Sequence, residues 1–326
     1  MKSFVQTIIL IFIIEIACSW GFLVHRTIGQ LAIYELPKKM RFFFHDNMHY
    51  IDKEIIQPDI RRSTDSLEAP KHFINLEEYG DSSAWKMPLI WDEAVRLYSK
   101  DSLLKNGYVP YEVIMEKNKL TEAFRNNNRD SILFYASDLA HYIGDAHVPL
   151  HNTINYDGQL TNQKGLHNLW ESMIPELELN QYNLYSGHSA HYLDNPEKSI
   201  WDAVRSGYSL VASVFAQEKE VSKNFPDSLK YRIQVRNGKQ YKTYTTAFAT
   251  AYSKTLGNSV EIQLLKSADL IADFWYSSWT DAGKPDLNHL ISSPITKKEK
   301  KELKTECKAY RQNKLIEKKL LLSKQM

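Results

Sequence analysis

The stretch His141-Tyr-Ile-Gly-Asp145-Ala-His147-Val-Pro149-Leu-His151 joins an apolar helical pattern to a group of metal-binding residue types. His141 and Asp145 are four residues apart, so a helix presents both side chains from one face. This spacing lets a helix offer an imidazole and a carboxylate to a single metal ion. Pro149 then ends the helix and redirects His151, which becomes a candidate third ligand. The stretch predicts a buried helix that ends at a metal site.

A second pair of metal-binding residue types lies sixteen residues after His151. The segment His167-Asn-Leu-Trp-Glu171 again places a histidine and a carboxylate at i,i+4. One such pair alone is more often a surface interaction, but two pairs linked by a histidine after a proline favour a metal centre. Upstream, Pro58-Asp59 and Pro70-Lys-His72 place a carboxylate and a histidine in short loops.

The rest of the body is mostly helical in its apolar pattern. Apolar residues recur every three to four positions in the ranges 21–35, 92–98, 113–124, 131–146, 199–220 and 247–279. Two alternating runs around Asn237-Gly238 predict one β-hairpin near 231–244. No internal repeat or flexible linker divides the body. The predicted fold is all-α, a single multi-helical domain over residues 20–295 with one hairpin.

Composition excludes several classes of protein. The 326 residues are 43% hydrophobic and 25% charged, unlike a disordered chain, a collagen-like repeat or a polytopic membrane protein. The net charge of +2 gives no global field for nucleic acid, and two cysteines are too few for a disulfide framework. The charge is uneven, because residues 297–326 contain eleven Lys/Arg and four Asp/Glu.

The first 19 residues have the pattern of a secretory signal peptide. Lys2 precedes an apolar run that is too short to span a membrane, and cleavage is expected after Ser19. The exported chain would then start at Trp20 and be secreted, periplasmic or attached to the cell envelope. Lipoprotein processing before Cys18 is the alternative. Cleavage after Ser19 would leave Cys307 as the single cysteine.

Residues 296–326 form a basic Lys/Glu-rich tail. Three structures fit its pattern: a solvated terminal helix, a basic segment that contacts a membrane peripherally, or a partly frayed end. Under the expectation of a peripheral tail, its deletion should spare the hydrolysis of water-soluble substrates.

Several other histidines and aromatic residues are expected to serve packing or the surface. His45 and His49 suit a helix surface, and His147 points away from the Asp145 face and suits a structural role. Phe73 suits core packing, with stacking on a substrate base as the alternative. No metal role is expected for three further histidines, namely His188, His191 and His289.

Five motifs occur in order along the chain: W-G-x-x-x-H, P-D, H-F, H-x-x-G-D-x-H-x-P-L-H and H-x-x-x-E. With these motifs, the chain from Trp20 to about Trp279 resembles the superfamily of zinc-dependent phospholipases C and S1/P1 nucleases. The resemblance implies an all-α fold with three zinc ions in a cleft.

Carried over residue by residue, the resemblance implies three ligand sets. They are Asp59, His72, His141 and Asp145 for one zinc; the Trp20 amine and carbonyl, His25 and a bridging Asp145 for a second; and His151, His167 and Glu171 for the third. The implied reaction is hydrolysis of a phosphodiester, with Asp145 and Asp59 as catalytic residues.

Two classes of substrate fit the sequence. Glu171, and the lack of paired cysteines and of N-x-S/T sequons, favour a phospholipase C-like enzyme acting on a phospholipid headgroup. The Trp20 to His25 spacing and the tight motif around Asp145 fit the alternative, an S1/P1-type endonuclease acting on single-stranded nucleic acid. A second alternative is a non-catalytic, metal-stabilised helical protein that binds an envelope partner. A monomer is expected.

Overall fold

The computed structural model describes residues 21–236, 239–291 and 296–325. The leader, Trp20 and the Asn237-Gly238 turn lie outside the described residues. The helices and strands, in chain order, are α1 (Gly21–Glu35), α2 (Lys38–Asp46), α3 (Met48–Glu54), α4 (Gln57–Arg61), α5 (Ser83–Lys86), α6 (Trp91–Tyr98), α7 (Lys100–Asn106), α8 (Val109–Arg125), α9 (Arg129–His147), α10 (Leu166–Asn168), α11 (Ile174–Glu178), α12 (Pro196–Tyr208), α13 (Val211–Ser222), α14 (Asp227–Lys230), β1 (Tyr231–Arg236), β2 (Lys239–Tyr244), α15 (Thr246–Leu256), α16 (Ser259–Asp281) and α17 (Lys297–Arg311). The predicted all-α class with one hairpin is confirmed.

Helix α9 lies at the centre of the helical body. It packs against α1, α3, α8, α12 and α16, and α1 also packs against α16. From Ala136 to His147 every residue of α9 is buried, because the helix is enclosed on all sides. Helix α9 ends at His147, and a 3-10 turn of Pro149–Asn152 follows, as the proline predicts. The helix therefore delivers its C-terminal histidine and carboxylate into the interior.

Two continuous apolar patterns are each divided into two helices. The range 199–220 breaks between α12 and α13 at Ser209-Leu210. The range 247–279 breaks between α15 and α16 at Gly257, whose φ of 60° is a left-handed conformation that favours glycine. The apolar periodicity alone does not show these breaks, because both halves bury apolar faces.

The hairpin protrudes from the body and is anchored at its base. Strands β1 and β2 are antiparallel, with Tyr231 opposite Tyr244. Ile233 and Val235 on β1 are 59% and 67% exposed. Tyr244 is buried against Phe248 of α15, with ring centroids 4.9 Å apart. Tyr244, at the base of the hairpin, therefore belongs with Phe248 to a second apolar cluster that is separate from the main core.

The basic tail is part of the body, and the expectation of a solvated, peripheral tail is wrong. Helix α17 begins with a capping box of Thr296 and Glu299. Its lysine-rich face is exposed, but its apolar side chains and those that follow join the main core. These buried residues are Leu303, Cys307, Ala309, Tyr310, Leu315 and Leu321.

Hydrogen bonds fasten the tail to helix α1. Gln30 Nε2 donates to the Leu320 carbonyl at 2.7 Å, and the Leu322 amide donates to Gln30 Oε1 at 2.8 Å. The Tyr310 hydroxyl donates to buried Glu35 Oε1 at 2.6 Å. His45 Nε2 lies 2.8 Å from Glu306 Oε2, so His45 has the packing role expected of it. Within the described ranges, no helix is both long and apolar enough to cross a bilayer.

Candidate metal centre

The described part of the chain contains eight of the nine predicted ligands, and the structure brings their side chains together. They come from α1, α4, the segment after a 3-10 turn at Ala69–Lys71, the end of α9 with the turn behind it, and the segment around α10. The eight are His25, Asp59, His72, His141, Asp145, His151, His167 and Glu171. The ninth, Trp20, is outside the described residues.

A first group surrounds one oxygen of Asp145. Asp145 Oδ2 lies 2.9 Å from His72 Nδ1 and 3.3 Å from His141 Nε2. These two ring nitrogens are 3.1 Å apart. Asp59 Oδ1 lies 3.8 Å from the His72 nitrogen and 3.9 Å from the His141 nitrogen. The four donor atoms therefore converge on one point.

The other oxygen of Asp145 faces helix α1. Asp145 Oδ1 is 3.4 Å from His25 Nε2, and the His25 ring stacks on His141 with centroids 4.0 Å apart. His25 Nε2 also lies 3.9 Å from Glu171 Oε1. Gly144 makes room for this ring, because a Cβ there would lie 3.1 Å from His25 Nδ1. Asp145 therefore has one oxygen in each of two adjacent groups.

A third group lies beside the first two. His151 Nε2 is 3.1 Å from His167 Nε2 and 3.4 Å from Glu171 Oε2. Glu171 Oε2 is 2.5 Å from His167 Nε2. Glu171 lies in a π-helical turn, Leu169–Met173, which follows α10 directly. The i,i+4 pair is thus formed across a π-turn instead of a regular α-helix, a geometry common at functional sites.

The donor atoms fit zinc. His141 Nδ1 donates to the Ile55 carbonyl at 2.8 Å, and His151 Nδ1 donates to the His72 carbonyl at 2.6 Å. In the neutral rings, both Nε2 atoms then carry lone pairs that face other nitrogens and carboxylates, which repel them. Tetrahedral zinc with bonds of about 2.0 Å to nitrogen separates its ligand atoms by about 3.3 Å. A cation between these atoms would relieve the repulsion at nearly their present spacing.

The pKa values of the site also indicate that its carboxylates require nearby positive charge. Burial disfavours the charged ring of His151, but Asp145 and Glu171 raise its pKa to about 9. Burial acts against ionised Asp145 in the same way, yet His141 and His151 hold its pKa well below the usual range. Protons or metal ions must balance these carboxylates.

One side of the site opens to solvent. The side chains of His72, His141 and Asp145 are at most 1% exposed, whereas Asp59 is 15% and His167 27% exposed. Tyr156 is 52% exposed, and its ring centroid lies 6.3 Å from that of His167. The opening is therefore lined by a carboxylate, an imidazole and an aromatic ring.

Two nearby residues were expected to have other roles. His147 is buried, its Nδ1 donates to the Ile143 carbonyl at 2.8 Å, and burial lowers its pKa to about 4. It is a neutral structural histidine, as expected. Phe73 is half buried, and its ring leaves no room for a Cβ at Gly107.

Glu68 lies behind His72 and was missed in the sequence, although Glu68 and His72 are at i,i+4. Glu68 Oε1 is 3.6 Å from His72 Nε2, the nitrogen that faces away from the site. Glu68 also accepts hydrogen bonds from Tyr142, from Arg61 at 3.3 Å and from Lys71 at 3.2 Å. Although burial raises the pKa of Glu68, its partners hold it well below the usual range. The ionised carboxylate orients the His72 ring and favours a proton on Nε2.

We expect Glu68→Gln to weaken zinc binding by about 10- to 100-fold, since outer partners of ligating histidines have effects of this size. A competition titration against a zinc-binding dye measures the affinity, and Glu78→Gln at an exposed position is the matched control. An unchanged affinity in the Glu68 variant would show that His72 does not depend on this carboxylate.

Comparison with known proteins identifies the family. A model of the S1/P1 Nuclease family matches residues 20–274, which include all nine predicted ligands. The family is all-α and zinc-dependent, and its enzymes hydrolyse phosphodiester bonds. A search of curated proteins found no match. The family match supports the nuclease alternative better than the phospholipase C interpretation that Glu171 had favoured. The chain belongs to the S1/P1 nuclease family.

Proposed function

We propose that the protein is an exported endonuclease that uses three zinc ions to hydrolyse single-stranded nucleic acid. The observation that carries this proposal is that Asp145 faces histidines with both oxygens: Oδ2 lies 2.9 and 3.3 Å from His72 and His141, and Oδ1 lies 3.4 Å from His25. A carboxylate in this position suits two neighbouring metal ions. The third ion would be held by His151, His167 and Glu171.

The charge of the donor set suits an anionic substrate. Asp59, Asp145 and Glu171 supply about −3, against +6 from three zinc ions, and the remaining positive charge favours a phosphodiester. When bound, zinc activates water at neutral pH and stabilises the charge that develops on phosphate oxygens.

Asp59 is the carboxylate best placed to accept a proton. Asp59 Oδ1 lies 3.8 and 3.9 Å from the nitrogens of His72 and His141, whereas Asp145 Oδ2 lies 2.9 and 3.3 Å from them. The Asp59 side chain is also 15% exposed. Arg62 Nη1, 3.4 Å from Asp59 Oδ1, keeps a positive charge at the opening. Asp59 Oδ1 would orient the attacking water and take its proton, while Arg62 would contact a substrate phosphate.

An aromatic side chain at the opening fits a nucleobase. The Tyr156 ring is about half exposed beside His167, whereas the Phe73 ring packs against Gly107. Stacking of a base on an aromatic ring contributes about 1–3 kcal/mol and requires a base that is free of its duplex partner. This requirement gives a physical reason for a preference for single strands.

We expect Tyr156→Ala to raise KM for a single-stranded oligonucleotide by about 5- to 100-fold, the loss of one stacking contact. Hydrolysis of bis-p-nitrophenyl phosphate, which has no base, should stay within about twofold. Tyr192→Ala, at a 43% exposed tyrosine whose hydroxyl donates to Asp281, is the control. Equal losses on both substrates would exclude a stacking role.

Parallel assays of the zinc-loaded protein test the proposed function. Single-stranded RNA, single-stranded DNA, duplex DNA and phosphatidylcholine vesicles are incubated at equal phosphodiester concentration. We expect cleavage of both single strands, slower cleavage of the duplex and no release of phosphocholine. Phosphocholine release without nucleic-acid cleavage would establish the phospholipase C alternative. A protein with three zinc ions that cleaves none of these substrates would point to another phosphate ester, whereas an inactive protein with one zinc or none would support the non-catalytic alternative.

We further propose that cleavage after Ser19 completes the site. Among the described residues, His25 and Asp145 are the two side chains that the family resemblance assigns to the second zinc ion, and α1 begins at Gly21, the residue after Trp20. A freed α-ammonium group has an ordinary pKa near 7.7–8.0, so at neutral pH zinc can displace one proton from it and bind the neutral amine. The export signal and the metal centre would then depend on one cleavage.

A single alanine added before Trp20 should therefore remove one zinc and lower kcat/KM on single-stranded RNA by roughly 10²-fold or more. The comparison protein carries the same alanine at its C-terminus. Mass spectrometry verifies both termini before metal content and activity are measured. Full activity in the N-terminally extended protein would contradict the role of the Trp20 amine.

A further inference from the structure

A second histidine and carboxylate group lies at the opposite end of α1 from His25. Asp273 Oδ1 on α16 is 2.8 Å from His188 Nε2 and 3.0 Å from His191 Nδ1. The His191 amide also donates to Asp273 Oδ1 at 2.8 Å. Along α1, this end lies about 15 Å from His25, because a helix rises about 1.5 Å per residue. The group is therefore separate from the candidate catalytic centre.

Two more carboxylates adjoin this group. Glu35 at the end of α1 is 3% exposed, and its Oε2 atom is buried without a hydrogen-bond partner among the described residues. Asp269, one turn before Asp273 on α16, likewise has a buried Oδ1 atom without a hydrogen-bond partner among the described residues. Asp269 lies close enough to Glu35 for the two carboxylates to repel each other. The Glu35 carboxylate thus faces negative charge where a cation would be favourable.

We propose that His188, His191 and Asp273 bind a divalent transition-metal ion, best fitted by Zn²⁺, at a site distinct from the catalytic centre. Their three donor atoms lie within 4.8 Å of one another. Two imidazoles and a carboxylate are ligands that zinc accepts, and Asp269, one turn earlier on α16, is a candidate fourth ligand. The bound ion would also place a positive charge near the buried Glu35 carboxylate.

The ion would fasten the segment that carries both histidines. The Leu184 amide donates to Asn313 Oδ1 of the tail at 2.9 Å, and the Ala190 amide donates to the Glu35 carbonyl at 3.1 Å. The segment therefore connects α1, α16 and the tail. His191 is 62% exposed, so the ion can enter from solvent without unfolding this region. The expected role is structural, without contact with the substrate.

The decisive test is the zinc content of the full exported chain after equilibration in a zinc-buffered solution. We expect His191→Ala to contain one zinc fewer per chain than the wild type and to keep kcat/KM on single-stranded RNA within about twofold. His289→Ala, at another exposed histidine, is the matched control and should keep the full content. The result is a difference between proteins, so it does not depend on how many ions the catalytic centre holds.

Proteolysis gives an independent measurement. Zinc should protect the 183–193 segment of the wild type from limited cleavage by at least about tenfold, and His191→Ala should lose that protection. The competing explanation is a set of Asp–His hydrogen bonds with a proton shared between Glu35 and Asp269. Under that explanation, zinc content and protection are the same in the wild type and in His191→Ala, and this outcome would overturn the proposal.

Discussion

Asp145→Asn should lower kcat/KM on single-stranded nucleic acid by at least about 10³-fold, the largest effect expected of any single substitution. Loss of one electrostatic contact in an active site costs about 10²- to 10³-fold, and Asp145 serves two histidine groups. Asparagine has the same shape but no charge, and its amide nitrogen cannot bind a cation. We therefore expect the variant to lose two zinc ions as well as activity.

The control for this variant is Asp130→Asn. Asp130 lies in the first turn of the same helix, α9, with its side chain 88% exposed. Circular dichroism establishes that both variants are folded before activity and metal content are compared. An Asp145 variant that retains activity within tenfold of the wild type would contradict the bridging role.

Deletion of residues 296–326 should unfold the protein, the second large effect. The tail contributes several large side chains to the main core, and the loss of each costs about 2–5 kcal/mol. A typical domain has a total stability of only about 5–15 kcal/mol. The deletion would also expose the face of α1 that Gln30 and Glu35 join to the tail. Loss of activity would therefore follow from loss of structure.

A single substitution measures the same effect in a folded protein. Tyr310→Ala should lower the free energy of unfolding by about 3–5 kcal/mol, because it leaves a cavity and removes the donor to Glu35. Lys308→Ala, on the exposed face of α17, should change it by less than about 0.5 kcal/mol. Chemical denaturation measures both. A truncated protein that unfolds at the same denaturant concentration as the full chain would show that the tail is peripheral after all.

The sequence predicted the site best where metal-binding residue types recur at the helical spacing of four residues. The i,i+4 pairs and the proline at 149 predict which residues point to one side of a chain segment, and this is a local property. The all-α class followed from the same periodicity. The relative placement of the five segments required the family resemblance, because it depends on packing between distant helices.

Other features of the site depend on tertiary contacts that no local pattern carries. Glu68 has a histidine four residues later, but its importance comes largely from Tyr142, which is distant in the chain. His188 and His191 stand in a polar stretch, and only the fold brings Asp273 to them. The burial of the tail could not be predicted for the same reason. Its few apolar residues are separated by lysines and glutamates, a pattern that is typical of an exposed helix.

The proposed function requires three zinc ions in the cleft, two of them beside Asp145 and the third beside Glu171. Anomalous diffraction from crystals of the zinc-loaded, processed protein, measured on both sides of the zinc absorption edge, tests it most directly. We expect three peaks in the cleft: one between His72 and His141, one beside His25, and one between His151 and His167. The absence of peaks at these positions in zinc-loaded crystals would contradict it.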